Sequence, residues 1–159
     1  MRRRTLLIVS ALLVALSAAC GGGDDNDNPT AGPLTVDHAE DFMQHLMDSA
    51  QRQQTSRVVD LVTTQQVGVV PRADWERCIG DQQMLTIGGN KVDIEDAYED
   101  TLQIQGQPVE AVAVTVDFGQ NFFRTYHVIE EGEQLRWALA PADFEGFNGG
   151  GCPTFWPNT

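Results

Sequence analysis

Three histidines, three cysteines and a concentration of carboxylates are the residues of this chain that could do chemistry. His38 and His45 stand seven positions apart, not at the i, i+4 spacing that lets one helix face hold a metal ion between two imidazoles. They read as surface or boundary residues. His127 falls in a strand pattern, on the side of Phe123, Thr125 and Ile129. An imidazole facing a cavity could act as a general base, and Asp117 is the other sheet residue open to such a role. The simpler reading of His127 is a boundary histidine with its polar needs met. Asp93, Glu95, Asp96, Glu99 and Asp100 crowd five acids into eight positions. They could hold a cation or meet a basic partner. No glycine turn or fixed ligand spacing organises them for calcium, and a solvated sheet edge kept from pairing by charge explains them more simply. Trp75, Tyr98, Phe122, Phe123, Tyr126 and Trp137 could line an apolar pocket or fill a core. Serine-hydrolase elbows, phosphate-binding loops, HExxH and dinucleotide glycine fingerprints are absent from the sequence. No cofactor and no metal are therefore expected.

The cysteines divide into one and two. Ahead of Cys20, the basic residues Arg2, Arg3 and Arg4 precede an apolar run from Leu6 to Leu16, and Ser17, Ala18 and Ala19 follow it. This is the plan of an export signal. The run is too short to cross a hydrocarbon layer of about 30 Å as a helix, and an uncleaved N-terminal anchor is the alternative. Ser17-Ala18-Ala19-Cys20 resembles a bacterial lipobox, with Ser17 where leucine is favoured and Leu16 one place further back. The resemblance implies a signal peptide over 1–19, cleavage before Cys20, a diacylglycerol thioether on Cys20 and an acyl chain such as palmitate on its amino group. Two or more chains anchor stably where one does not. The localisation it implies is the extracytoplasmic face of a cell membrane.

Residues 20–34 carry that cysteine and a Gly/Asp/Asn/Pro linker with no hydrophobic period. From Gly21 to Pro33 such a coil spans roughly 20 Å end to end. An EF-hand starting at Asp24 fails, because Pro29 stands where the loop needs glycine and Thr35 where it needs glutamate. If Cys20 is lipidated, Cys78 and Cys152 form an even pair, most simply a disulfide in an exported domain. Two free thiols with a metal or redox role are the alternative. A bridge would tie the third helix to a C-terminal tail whose glycines make it costly to order, and the chain-entropy model values such a loop at roughly 4.5 kcal/mol.

The elements that must position these residues read as helices first, strands second. Asp37 followed by Glu40 suggests an N-cap with its partner. Val36, Ala39, Phe42, Met43, Leu46, Met47 and Ala50 then form one apolar stripe. A second short helix is predicted near Ser56 to Val62, broken by Gly68 and Pro71, and a third after Pro71 carries Trp75, Cys78 and Ile79. Strands are predicted at Met84–Ile87, Val92–Ile104, Val109–Phe118, Phe122–Ile129 and Leu135–Leu139, joined by short turns into an antiparallel meander. Val112, Val114, Val116 and Phe118 share one face. The fold class is α+β, with N-terminal helices packed on one face of a sheet, in a single domain over residues 35–159.

That element order, with Trp75-Glu76-Arg77-Cys78, the strand Val112-Ala113-Val114-Thr115-Val116 and the late strand Glu133-Gln134-Leu135-Arg136-Trp137, resembles the nuclear transport factor 2-like family. The family is also called cystatin-like or polyketide-cyclase-like. The narrower likeness is to small lipid-anchored actinobacterial members, and it covers roughly Thr35 to Pro141. It implies a curved sheet wrapping the helices into a cone with an apolar pocket, here drawn from Trp75, Tyr98, Asp117, Tyr126, His127 and Trp137. Relatives that isomerise steroids or cyclise polyketides use aspartate or histidine inside the cone, but no local motif carries those roles onto Asp117 or His127. The reading is therefore a non-catalytic envelope module for a small apolar ligand or a protein partner, with a cone-pocket enzyme as the alternative.

The formal net charge is −13, which disfavours nucleic-acid binding, because each phosphate contact needs a cation. Removal of Arg2, Arg3 and Arg4 with a signal peptide leaves 7 basic residues against 23 acidic, a net charge of −16. Anionic head groups repel such a surface, so membrane attachment would need a covalent lipid.

Overall fold

The computed structural model describes residues 29–82, 92–119 and 122–156. The signal, the lipidation site Cys20, most of the linker and the strand expected at Met84–Ile87 lie outside the described residues.

The first helix, α1 (Val36–Gln51), buries Ala39, Phe42, Met43, Leu46, Met47 and Ala50, the stripe its spacing predicts. Its N-cap is Thr35, not Asp37. Thr35 is extended, and its hydroxyl accepts from the His38 N–H at 3.3 Å. Asp37 lies in the first turn, where a carboxylate favours the helix dipole.

The expected second helix is shorter and is followed by another. Helix α2 (Thr55–Asp60) stops because Leu61 to Thr63 leave it to pair parallel with a strand edge. The Trp137 N–H donates to the Leu61 carbonyl at 2.7 Å, and the Thr63 N–H to the Trp137 carbonyl at 3.0 Å. Thr63 then caps α3 (Thr64–Val69), and Gly68 lies inside α3 rather than breaking a helix. Helix α4 (Arg72–Gly80) follows Pro71 as predicted and buries Trp75, Cys78 and Ile79.

The four described strands form one antiparallel sheet in sequence order: β1 (Asp93–Ile104), β2 (Gln107–Asp117), β3 (Phe123–Glu131) and β4 (Gln134–Ala138). Gln105 and Gly106 both take left-handed backbone (φ 51° and 77°), which the tight β1–β2 turn requires. The free edge of β4 is covered twice. Leu61–Thr63 pair beside Trp137, and the Leu135 N–H donates to the Thr30 carbonyl at 2.7 Å. Among the described residues, strand β1 forms the opposite edge. It carries a register shift between Ile94 and Asp96 and the five acids singled out above. Both features discourage edge-to-edge pairing.

The helices cover the face of Val112, Val114, Val116, Phe118, Tyr126, Val128, Leu135 and Trp137. Beyond β4 the chain forms a helix the sequence reading missed, α5 (Pro141–Asn148), with proline in its first turn. The tail after it returns to the core.

Candidate functional site

The concave face is where the resemblance places a pocket, and aromatic rings occupy it. Trp75 from α4 packs edge-on against Trp137 of β4 at 6.4 Å and Phe147 of α5 at 4.7 Å. Phe155 and Trp156 complete the cluster, stacking on Trp75 and Trp137 at 6.0 and 5.7 Å. All but Phe147, at 3%, are at most 1% exposed. Offset and edge-to-face pairs at these separations are the favourable arrangements for aromatic quadrupoles.

The tail that brings in the last two rings is held at several points. Cys78 of α4 and Cys152 are joined in a disulfide with Cα atoms 5.5 Å apart, the pairing the cysteine count suggested. The Gln82 side chain works as a strand would: its amide nitrogen donates to the Pro153 carbonyl at 2.7 Å, and its oxygen accepts from the Phe155 N–H at 2.8 Å. The Tyr126 hydroxyl donates to the Phe155 carbonyl at 2.9 Å, and burial pushes that phenol well above its ordinary pKa. Buried Gln66 repeats the device at the end of β4, donating to the Leu139 carbonyl at 3.0 Å and accepting from its N–H at 2.9 Å. Sequence reasoning missed both glutamines, since a lone glutamine carries no pattern.

The six residues expected to share a pocket are not brought together. Trp75, Tyr126 and Trp137 lie in the core. Tyr98, Asp117 and His127 occupy the other face of the sheet, as the register shows. Tyr98 pairs with Ala113 and Ala113 with His127, while Val112 and Val114 point to the helices. His127 Nε2 stands 3.3 Å from Asp100 Oδ2. Asp117 Oδ1 accepts the Gly119 N–H at 2.7 Å and so braces the turn after β2. Neither residue lines a cleft of about 540 Å³ between the start of α1 and the outer halves of β1 and β2, whose walls include Thr35, Glu99, Thr101 and Glu110. They are equally absent from a 170 Å³ groove beside α4 and α5. A general base needs a substrate cavity within hydrogen-bond reach; Asp100, whose carboxylate stands 3.3 Å from His127, is itself a wall of the larger cleft.

Among the described residues no group of three or more His, Cys, Asp or Glu side chains is placed to hold a metal ion, and no helix is long and apolar enough to cross a membrane. The chain is thus an α+β domain with helices on one face of an open antiparallel sheet and an interior closed by its own tail. Comparisons with protein-family models, with curated proteins and with solved structures return no match.

Proposed function

We propose that this chain is an extracytoplasmic lipoprotein, anchored through Cys20, whose domain is a non-catalytic module for a protein partner at the cell envelope. The single observation that carries the binding half is the filled interior. Phe155 and Trp156 stand where a small apolar ligand would go. Specificity must then lie on the outer surface, which suits a protein partner better than an apolar small molecule. The nuclear transport factor 2-like likeness rests on element order, and on that reading the tail would close the cone. A cone-pocket isomerase or cyclase using Asp117 or His127 is the weaker reading, because both side chains lie on the opposite face.

The anchoring half rests on the basic, apolar and small-residue run before Cys20. Its support is the acidity of the domain, which leaves electrostatics unable to hold it at an anionic membrane. The test is metabolic labelling with palmitate followed by membrane fractionation. The unaltered chain is expected to take label and sediment with membranes. Cys20→Ala is expected to take none and appear in the soluble fraction. Retention of unlabelled Cys20→Ala in the membrane would overturn lipidation in favour of an uncleaved apolar anchor.

A further inference from the structure

We infer that the sheet face opposite the helices is a docking surface for an arginine-rich segment of a partner protein. The face has three rows near the β2–β3 turn, read from the register: Asp93–Asp117–Phe123, Asp96–Thr115–Thr125 and Tyr98–Ala113–His127. Thr115 and Thr125 join their hydroxyls at 3.2 Å, which fixes them on one side. Tyr98 and Phe123 are the exposed rings here, at 49% and 46%. They lie two row spacings apart along the strands and two strands apart across them, about 14 Å by 10 Å from standard sheet dimensions. Between and beside them stand Asp93, Asp96, Asp100 and Asp117.

Charge decides the occupant. No arginine or lysine stands in these rows; Arg124 projects to the helix side, 5.9 Å over the Tyr126 ring. The one group here that can become cationic, His127, is beside Asp100. A second copy of the chain would bring the same acids and be repelled, and anionic lipid or nucleic acid fails for the same reason. Arg136 lies on this face one row beyond His127, on β4, where the Asp60 carbonyl, Gln134 and Glu131 hold it; within the three rows themselves a cationic polypeptide meets no arginine or lysine. Arginine fits best, because its planar guanidinium stacks on aromatic faces as well as pairing with carboxylates. The covered edge of β4 also matters. The chain enters the sheet at Thr30 and Ala31, beside β4. The acidic β1 edge is three strands away from that entry.

The inference gives a chemistry to the protein partner proposed above and rests on that reading, but not on the lipid anchor. Its test uses the full chain in detergent and two labelled probes, deca-arginine and deca-lysine, titrated at low and physiological salt. The expected result is tighter binding of deca-arginine than of deca-lysine. Tyr98→Ala with Phe123→Ala should weaken deca-arginine at least tenfold and erase the preference. Asp93→Asn with Asp96→Asn should weaken both probes. Asp41→Asn with Glu145→Gln removes equal charge elsewhere and should change neither by more than twofold. Equal binding of the two probes, or equal losses from the face pair and the distant pair, would overturn the inference as generic attraction. Absence of binding would overturn it too. A partner crosslinked through another face would do the same while leaving the protein-binding reading intact.

Discussion

Replacing Cys152 with serine tests how the interior is kept closed. The tail from Gly149 to Trp156 gains from two buried rings, each removing about 200 Å² from water at about 25 cal/mol per Å², or ~10 kcal/mol together. Its three side-chain hydrogen bonds, two from Gln82 and one from Tyr126, add ~3 kcal/mol. Ordering eight residues costs ~12 kcal/mol at ~1.5 kcal/mol each. The tail alone is therefore close to balance, and the crosslink decides whether it stays docked. Cys78 and Cys152 are separated by 74 positions, for which chain entropy gives up to about 4.5 kcal/mol. Each 1.4 kcal/mol is a factor of ten. Amides of β2 and β3 that exchange through global unfolding should then lose up to about a thousandfold of their hydrogen-exchange protection in Cys152→Ser, because that entropy belongs to the wholly unfolded chain. The amide of Phe155, which donates to Gln82, should open locally and keep little protection at all, since the untethered tail is close to balance. Trp156 should become accessible to a collisional quencher at the same time. Unchanged protection at Phe155 would refute the reasoning and show that packing alone secures the tail.

Two further outcomes follow from the same geometry. Gln66→Leu keeps the volume but strands the Leu139 N–H and carbonyl in the core, so urea unfolding should show a loss of about 2–4 kcal/mol; a loss under ~0.5 kcal/mol would mean the pair is satisfied otherwise. His45 is held below its ordinary pKa of 6.5, first by burial and then by Arg57, with Asp48 opposing and Arg52 adding a little. The unfolded chain therefore binds the proton more readily, stability is full above about pH 6.5, and it declines as pH falls through 6.5 toward the folded-state value. Equilibrium unfolding between about pH 5.5 and 7 should show that slope, and His45→Gln should flatten it; an identical slope in the variant would assign it to other groups.

The α+β class and most strands were legible because they rest on repetition. The α1 stripe recurs at helical spacing, and Val112, Val114, Val116 and Phe118 alternate along β2 into the core. The two-cysteine pairing was legible by parity. What failed were decisions made by partners distant in sequence. Helix α2 ends where Trp137, seventy-odd positions later, offers a strand edge to Leu61. Asp37 looks like a cap locally, yet Thr35 is the residue that the approach from Thr30 and Ala31 leaves extended. The pocket failed for a related reason. Tyr98, Asp117 and His127 are on a strand face that period two identifies only relative to its neighbours. Which face the helices cover is settled by Val114 and Val116, not by the polar residues themselves. Helix α5 was hidden by Gly146 and by the glycines that follow it, whose low helix propensity masks a short amphipathic turn.

The placement of Phe155 and Trp156 has a consequence for the order of events in the life of the chain. A ribosome makes α1, the sheet and Trp137 before either ring exists, so the core stays open on that side until almost the whole domain has been synthesised. A chain threaded through a membrane from its N-terminus would likewise deliver these rings late, and their disulfide would close only in an oxidising compartment. If the chain is exported as proposed above, its compaction waits for that tail, and the domain is expected to stay loose while the tail is still on the synthesising side.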